Sequence, residues 1–558
     1  MKLRLFFLFL LVVTMLLSFE LLTGYYPYGK IVPPALIKPT YKVLLLPLDS
    51  RPPCQKFVID AGKIAGIEVI TPPAEILDYY TAPGNRPALR SWLAQNIATA
   101  DAVILSIDQL LHGGLLAARE ADGSGSEEDA LAFVRELHTQ HPDKPIYAFN
   151  ILPRIHPPAS IENYEDRKNL IKYSRLTEEL SIFDNPDDLK ELRQLEETVP
   201  PSALAQYKSL YEENSRLNEK LCLMASQGIL EKIIIGQDDS EDFGIPNLEK
   251  LQLQRFINSL EIRDDRAVIT RGADEVALSL LTDIHSHLSG SQPPKIYVEY
   301  SDSDAPGLRM PYMSGSVATS VAEKIRLIHG EAVERPEDAD FILFVHIGTD
   351  KNMGNRKHSA QRIQELLDGG YKIALVDLSQ HFCAEETLLP QLIYCDVPLN
   401  QLIAYAGWNT TSNAVGTAIS QGAVFTAELF RQTETTALLE LYRHNLTLLN
   451  NRYLEDYFYL KDLIDTINKT LQKAGYKNVY DLDMEHNYKW ANYLLQTGIS
   501  QRASYLEHTA AYRKPLKIMT PEGPLQLRIR ELQAEAFYPW PRTFEIYLQT
   551  TLQLEHLP

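Results

Sequence analysis

The stretch Lys232-Ile233-Ile234-Ile235-Gly236-Gln237-Asp238-Asp239-Ser240 decides how the rest of the chain is read. Three consecutive isoleucines followed by a glycine describe a short strand that is apolar on both faces. Strands of a parallel sheet read this way because helices cover both sides. A doubled carboxylate immediately after such a strand is costly unless it is paired, protonated or used. Open α/β sheets and α/β barrels bind ligands at the carboxyl ends of their strands, so the place of the pair is itself informative.

Working outward, short β-rich apolar runs alternate with helical patterns from Tyr41 onward. Strands are predicted at Lys42–Leu48, Glu68–Ile70, Ala102–Ile107, Pro145–Asn150, Lys232–Gly236, Ala267–Thr270, Lys295–Glu299, Phe341–His346, Lys372–Val376 and Gln401–Ala406. These are too many for a plain eight-stranded barrel. The expected fold is α/β, with a mainly parallel sheet, barrel-like or doubly wound, over residues 41–300. A second, flavodoxin-like α/β domain follows over 301–430, and a helical region over 431–558 ends in closing strands. Residues 161–228 are rich in Glu, Lys, Leu and Arg and are broken at Pro186, Pro200 and Pro201, the pattern of an inserted helical hairpin serving as lid or side wall.

Before Tyr41 the chain looks like targeting sequence. Lys2 and Arg4 precede an apolar run from Leu5 to Phe19, and no A-x-A-like cleavage site follows. Residues 1–23 are therefore expected to be a signal peptide or an uncleaved membrane anchor, with the bulk of the chain outside the cytoplasm. Residues 24–40, with Tyr25, Tyr26 and Tyr28 ahead of Pro33, Pro34 and Pro39, suit an interfacial belt and a stiff linker. The formal charge of -19 excludes nucleic acid as a main partner, since phosphate binding needs a basic footprint. Cys54, Cys222, Cys383 and Cys395 show no C-x-x-C spacing, which argues against a structural zinc site; a Cys383–Cys395 disulfide stays open.

Strand after strand ends in polar residues. The first exits through Asp49-Ser50-Arg51-Pro52-Pro53, where the prolines hold the loop extended and Arg51 suits a carboxylate or phosphate clamp. The third leads to Asp108, then His112-Gly113-Gly114, then Arg119, with His112 placed for acid–base or binding work and Asp108 alternatively a helix cap. Asn150 closes the fourth strand, with Arg154 and His156 beyond it. The fifth ends in Asp238 and Asp239. The sixth runs into Asp274 and Glu275, which could equally cap a helix and favour its dipole. Further on, Trp408, Asn409 and Asn413 form a polar turn in which the indole offers a flat face to a sugar ring, or in which the amides only satisfy local backbone.

Taken in order, Leu46–Pro53, His112–Leu115, Gly236–Asp239, Gly272–Glu275, Gly407–Thr410 and Pro541–Glu545 resemble a bacterial family catalogued as domain of unknown function 4127, from about residue 41 to the end. The resemblance implies one shared architecture and no particular reaction.

The leading expectation is an exported or membrane-tethered hydrolase acting on glycans or glycoconjugates. Asp238 and Asp239 would be its acid–base and orienting carboxylates. Asp49, Arg51, Asp108, His112, Arg119, Asn150, Asp274, Glu275, Trp408, Asn409 and Asn413 would bind substrate. No organic cofactor is expected. Two alternatives are a divalent-metal hydrolase or lyase using Asp49, Asp108, His112 and Asp238, and a non-catalytic protein whose two domains close over a small ligand.

Overall fold

The computed structural model describes residues 29–120, 126–260, 262–263, 265–349 and 353–557. The expected targeting segment at 1–23 and the tyrosines at 25, 26 and 28 lie outside them. Part of the stretch expected to be a linker is instead a strand, β1 (Lys30–Val32). Six strands follow, β2 (Tyr41–Leu46), β3 (Ile67–Ile70), β4 (Ala102–Ser106), β5 (Ile146–Leu152), β6 (Lys232–Gln237) and β7 (Ala267–Arg271). They form one sheet in the order β3-β2-β4-β5-β6-β7, every neighbouring pair parallel. The two edge strands, β3 and β7, do not pair with each other, so the sheet is open and doubly wound and the barrel alternative is set aside.

A second parallel sheet uses β8 (Lys295–Tyr300), β9 (Glu331–Val333), β10 (Phe341–Gly348), β11 (Ile373–Ser379) and β12 (Ala404–Ala406), in the order β12-β11-β10-β8-β9. This is the flavodoxin-like order, and the first sheet has the same order with one further strand added. In each, the winding reverses beside the first strand, between β2 and β4 and between β8 and β10, which opens a crevice at the carboxyl ends. The chain closes with β13 (Leu516–Thr520), β14 (Gly523–Phe537) and β15 (Tyr547–Leu557), antiparallel in the order β1-β15-β14-β13.

Burial explains why these runs form strands. Val43 to Leu46 and Ile233 to Ile235 are fully buried, as continuous apolar strands must be when helices cover both faces. One apolar cluster passes through both parallel sheets, joining Val43 and Leu45 to Leu343 and Val345 by way of the helices Val276–Ser289 and Thr411–Arg431. The second of these helices is buried almost all round, which fits its Ala-, Gly- and Thr-rich sequence lying between layers. A second cluster ties Phe344 and Leu375 to the helical region through Tyr453 and to the antiparallel sheet through Leu554. The two sheets therefore share a core, and their carboxyl ends are fixed relative to each other.

Between β5 and β6 the insertion is three helices, Tyr164–Phe183, Pro186–Thr198 and Pro201–Ser226, where a hairpin was expected. Pro186 and Pro201 each begin a helix, because the first turn needs no N–H from them. All four cysteines are free thiols. No helix among the described residues is long and apolar enough to cross a membrane.

Candidate active site

A cavity of about 870 Å³ lies where the carboxyl ends of both parallel sheets meet. The first sheet supplies Arg51 after β2, Arg154 and His156 after β5, Asp238 and Asp239 after β6, Arg271 at the end of β7 and Asp274 after it. Arg119 enters from the turn after the short helix Leu115–Ala118. The second sheet contributes Asn409 and Asn413 after β12 and Phe382 after β11. Lys461 comes from Tyr453–Leu463, a π-helical stretch of the kind often found at functional sites. The loop between β14 and β15 closes the cavity with Trp540, Arg542 and Phe544.

At the exit of β6 the two aspartates have different surroundings. Asp238 forms an ion pair with Arg119, and its Oδ1 accepts the backbone N–H of Asp239 at 2.9 Å. Burial alone would raise its pKa, but the Arg119 and Arg154 guanidiniums outweigh burial and hold Asp238 below the usual carboxylate range. Asp239 is pushed up to about 7, first by burial and then by the charge of Asp238. At neutral pH Asp238 is an anion and Asp239 carries its proton for a large share of the time. Pairs of carboxylates whose environments drive their pKa values apart mark acid and base roles. Gly236 is the last residue but one of β6: a Cβ at this position would stand 2.6 Å from the carbonyl oxygen of Gly272, so only glycine fits the close approach of β6 to the loop after β7.

Beside this pair, Arg51 organises three carboxylates. It bonds Asp49 through Nε at 2.9 Å and Nη2 at 2.7 Å, Asp274 at 2.6 Å and Glu545 at 3.2 Å. Glu545 also receives Arg542 at 2.6 Å. Asp274 is raised to about 6 by burial, partly offset by Arg51, and Asn409 donates to its other oxygen at 3.3 Å. Asn409 holds φ 47°, a left-handed conformation that asparagine tolerates better than most side chains. The Oδ1 of Asn413 is buried and has no hydrogen-bond partner among the described residues.

Seven of the expected site residues thus line one cavity: Arg51, Arg119, Asp238, Asp239, Asp274, Asn409 and Asn413. Asp49 is one layer behind, fully buried on Arg51. Asp108 sits inside the helix Ile107–Leu111, where Ser106 is the N-cap, and its carboxylate binds the backbone N–H of Ile151 at 3.0 Å; burial lifts it to about 7. The helix begins at Ile107, which the sequence assigned to the strand, and this turns His112 toward a separate, smaller cavity beside Leu111 and Lys220. Asn150 is buried against Asn218 of the insertion at 2.8 Å. Glu275 is buried in an ion pair with Lys324, behind the cavity wall. Trp408 is a core residue: it stands edge-on to Phe57 at 5.3 Å and donates to Thr417 Oγ1 at 3.2 Å. It offers no face to a ligand.

Trp540 borders the cavity but is itself buried, and the exposed aromatic surface there belongs to Tyr312, Phe382 and Phe544. The Trp540 Nε1 donates to Ser50 Oγ at 2.8 Å, and the Arg51 and Arg542 guanidiniums lie 5.5 and 5.7 Å from its ring centre. The run Pro541–Glu545 was visible in the sequence, but nothing local joined it to Ser50. The four residues considered for a metal do not converge, being committed to Arg51, Ile151 N, Arg119 and a different cavity. No cluster of three or more His, Cys, Asp or Glu side chains suited to a metal occurs among the described residues.

Fold and site together define a two-lobed α/β protein with one acid-and-arginine-lined cavity between parallel sheets. The chain belongs to the family described as protein of unknown function (DUF4127), whose model matches residues 43–549. Neither the curated proteins nor the solved structures compared with it include a match.

Proposed function

We propose that this protein is a hydrolase of glycans or glycoconjugates, delivered outside the cytoplasm by its amino-terminal segment and working by carboxyl acid–base chemistry. The supporting observation is the split of Asp238 and Asp239 into an ion-paired anion and a proton carrier at the edge of one cavity. Asp239 would donate its proton to the leaving oxygen as the glycosidic bond breaks. Asp238 would keep that proton in place through its charge and hold Arg119. Asp274, which shares the cavity and is largely ionised at neutral pH, would take a proton from the incoming water. Tyr312, Phe382 and Phe544, which line the cavity and are exposed, would supply apolar surface for a ring.

A two-lobed binding protein is the second reading, favoured by the place of the cavity between two sheets. The full-length chain and its Asp239→Asn variant, assayed on a panel of aryl glycosides with and without chelator, separate the readings. Turnover that survives chelator and is lost in the variant supports the hydrolase. Chelator-sensitive turnover favours a metal enzyme, and tight ligand binding without turnover favours the binding protein.

A further inference from the structure

The protein is acidic, yet its main cavity is not. Seven cationic side chains line it against four carboxylates. Four of the cations are satisfied: Arg51 by Asp49, Asp274 and Glu545, Arg119 by Asp238, Arg271 by Glu323, and Arg542 by Glu545. Arg154, Arg167 and Lys461 form no ion pair among the described residues. Arg167 spends one nitrogen on the carbonyls of Pro158 and Ile161, at 2.5 and 3.3 Å. Arg154 donates no hydrogen bond at all among the described residues, and its Nε is buried without a partner. Lys461 reaches the cavity from the other wall, over the Phe382 ring at 4.8 Å.

Such cations are expensive to keep out of water unless something supplies the opposite charge, and for Arg154 the nearby Asp238 and Asp239 do not outweigh burial, which holds the guanidinium below its ordinary value. Arg154, Arg119 and Arg167 also lie close enough to depress His156 jointly, after burial, so the wall carries mutual repulsion. Each unpaired cation comes from a different element, the loop after β5, the insertion and the π-helical stretch, and all point at the same space.

We infer that the ligand of this cavity is an anionic saccharide whose carboxylate or phosphate pairs with Arg154, with Arg167 beside it and Lys461 facing it. This deepens the hydrolase reading by naming the substrate class, but its test does not depend on turnover. A guanidinium matches either oxyanion in two-point geometry, so the structure assigns the charge and leaves the acid to experiment.

The test is calorimetric titration of the full-length chain with three probes: methyl glucuronide, methyl glucoside 6-phosphate and neutral methyl glucoside. Wild type, Arg154→Gln and Arg154→Lys are compared, with melting temperature as a check on folding. Arg154 forms no direct ion pair, and without it Asp238 keeps its bond to Arg119, so the variants should fold. At least one anionic probe should bind about tenfold or more tightly than the neutral one. Arg154→Gln should abolish that preference and Arg154→Lys keep part of it. The favoured probe identifies the oxyanion. Equal affinity for all three probes, or none for any, overturns the inference, as does a preference that survives Arg154→Gln. Anion preference without turnover on any glycoside would remove the hydrolase reading alone. Turnover of neutral glycosides with no anion preference would remove this inference alone.

Discussion

The Oδ1 of Asp238 accepts the backbone N–H of Asp239 at 2.9 Å, while its Oδ2 is held by Arg119. Two consecutive carboxyl groups of one cavity wall therefore have different partners: Asp238 is engaged by Arg119 and the loop backbone, and Asp239 is left beside its charge. Asp239→Asn should keep the fold and lower turnover by about 10²- to 10⁴-fold, the usual contribution of a placed acid. Steady-state kinetics beside a thermal melt checks this.

Asp238→Asn should behave differently. It leaves Arg119 as an uncompensated, mostly buried cation, at a cost of about 3 kcal/mol in stability. It also removes the negative charge that lifts Asp239, so Asp239 should titrate lower and the alkaline limb of the activity profile should move down in pH. Denaturant unfolding and a pH–rate profile of the variant measure the two effects.

For the wild type, kcat/KM should be bell-shaped. It falls above about 7 as Asp239 loses its proton, and it falls below about 6 as Asp274 gains one. A profile flat across this range would remove both residues from their roles.

Stability should fall as the solution becomes more alkaline. Burial raises Asp108 and Asp456 to about 7, Asp78 to about 8 and Glu249 to about 9, in addition to Asp239. Between the ordinary carboxyl range and these values the folded state binds more protons than the unfolded one, so stability declines with rising pH. Asp60, Asp238 and Asp283 are held low, and their stabilisation is lost only under acid. Melting temperatures should decrease from about pH 7 to about pH 9, against an opposing contribution from Lys56, Lys250 and Lys461, whose burial holds them low; below about pH 7 the depressed His156, His346 and His444 also oppose the trend.

Trp408 and Trp540 offer a direct contrast. Trp408→Phe loses the bond to Thr417 and should cost about 1 kcal/mol of stability while leaving KM unchanged. Trp540→Phe loses the bond to Ser50 in the cavity wall and should raise KM.

Much of the fold was legible because buried parallel strands announce themselves. Ile233–Ile235 and Phe341–Val345 are apolar without alternation, and only a two-sided core accepts that. Glu331–Val333 escaped notice because β9 is three residues at a sheet edge, half in water. Lys30–Val32 looked like linker because its pairing partner lies more than 500 residues further on, at the carboxyl end. In the site, the carboxylates could be read from where strands stop. His112 and Asn150 could not, since a short helix and the insertion turn them elsewhere. Lys461 and Trp540 were hidden because tertiary packing alone brings the π-helical stretch and the β14–β15 loop to the cavity.

The unequal protonation of the pair carries the functional reading, and carbon-13 titration of the aspartate carboxyls observes it directly, with Asp238→Asn and Asp239→Asn used to assign the signals. A carboxyl belonging to Asp239 that titrates near 7, beside an Asp238 already ionised at pH 5, is the expected result. An Asp239 that ionises in the ordinary range near 4, or an Asp238 that holds the proton instead, would contradict it.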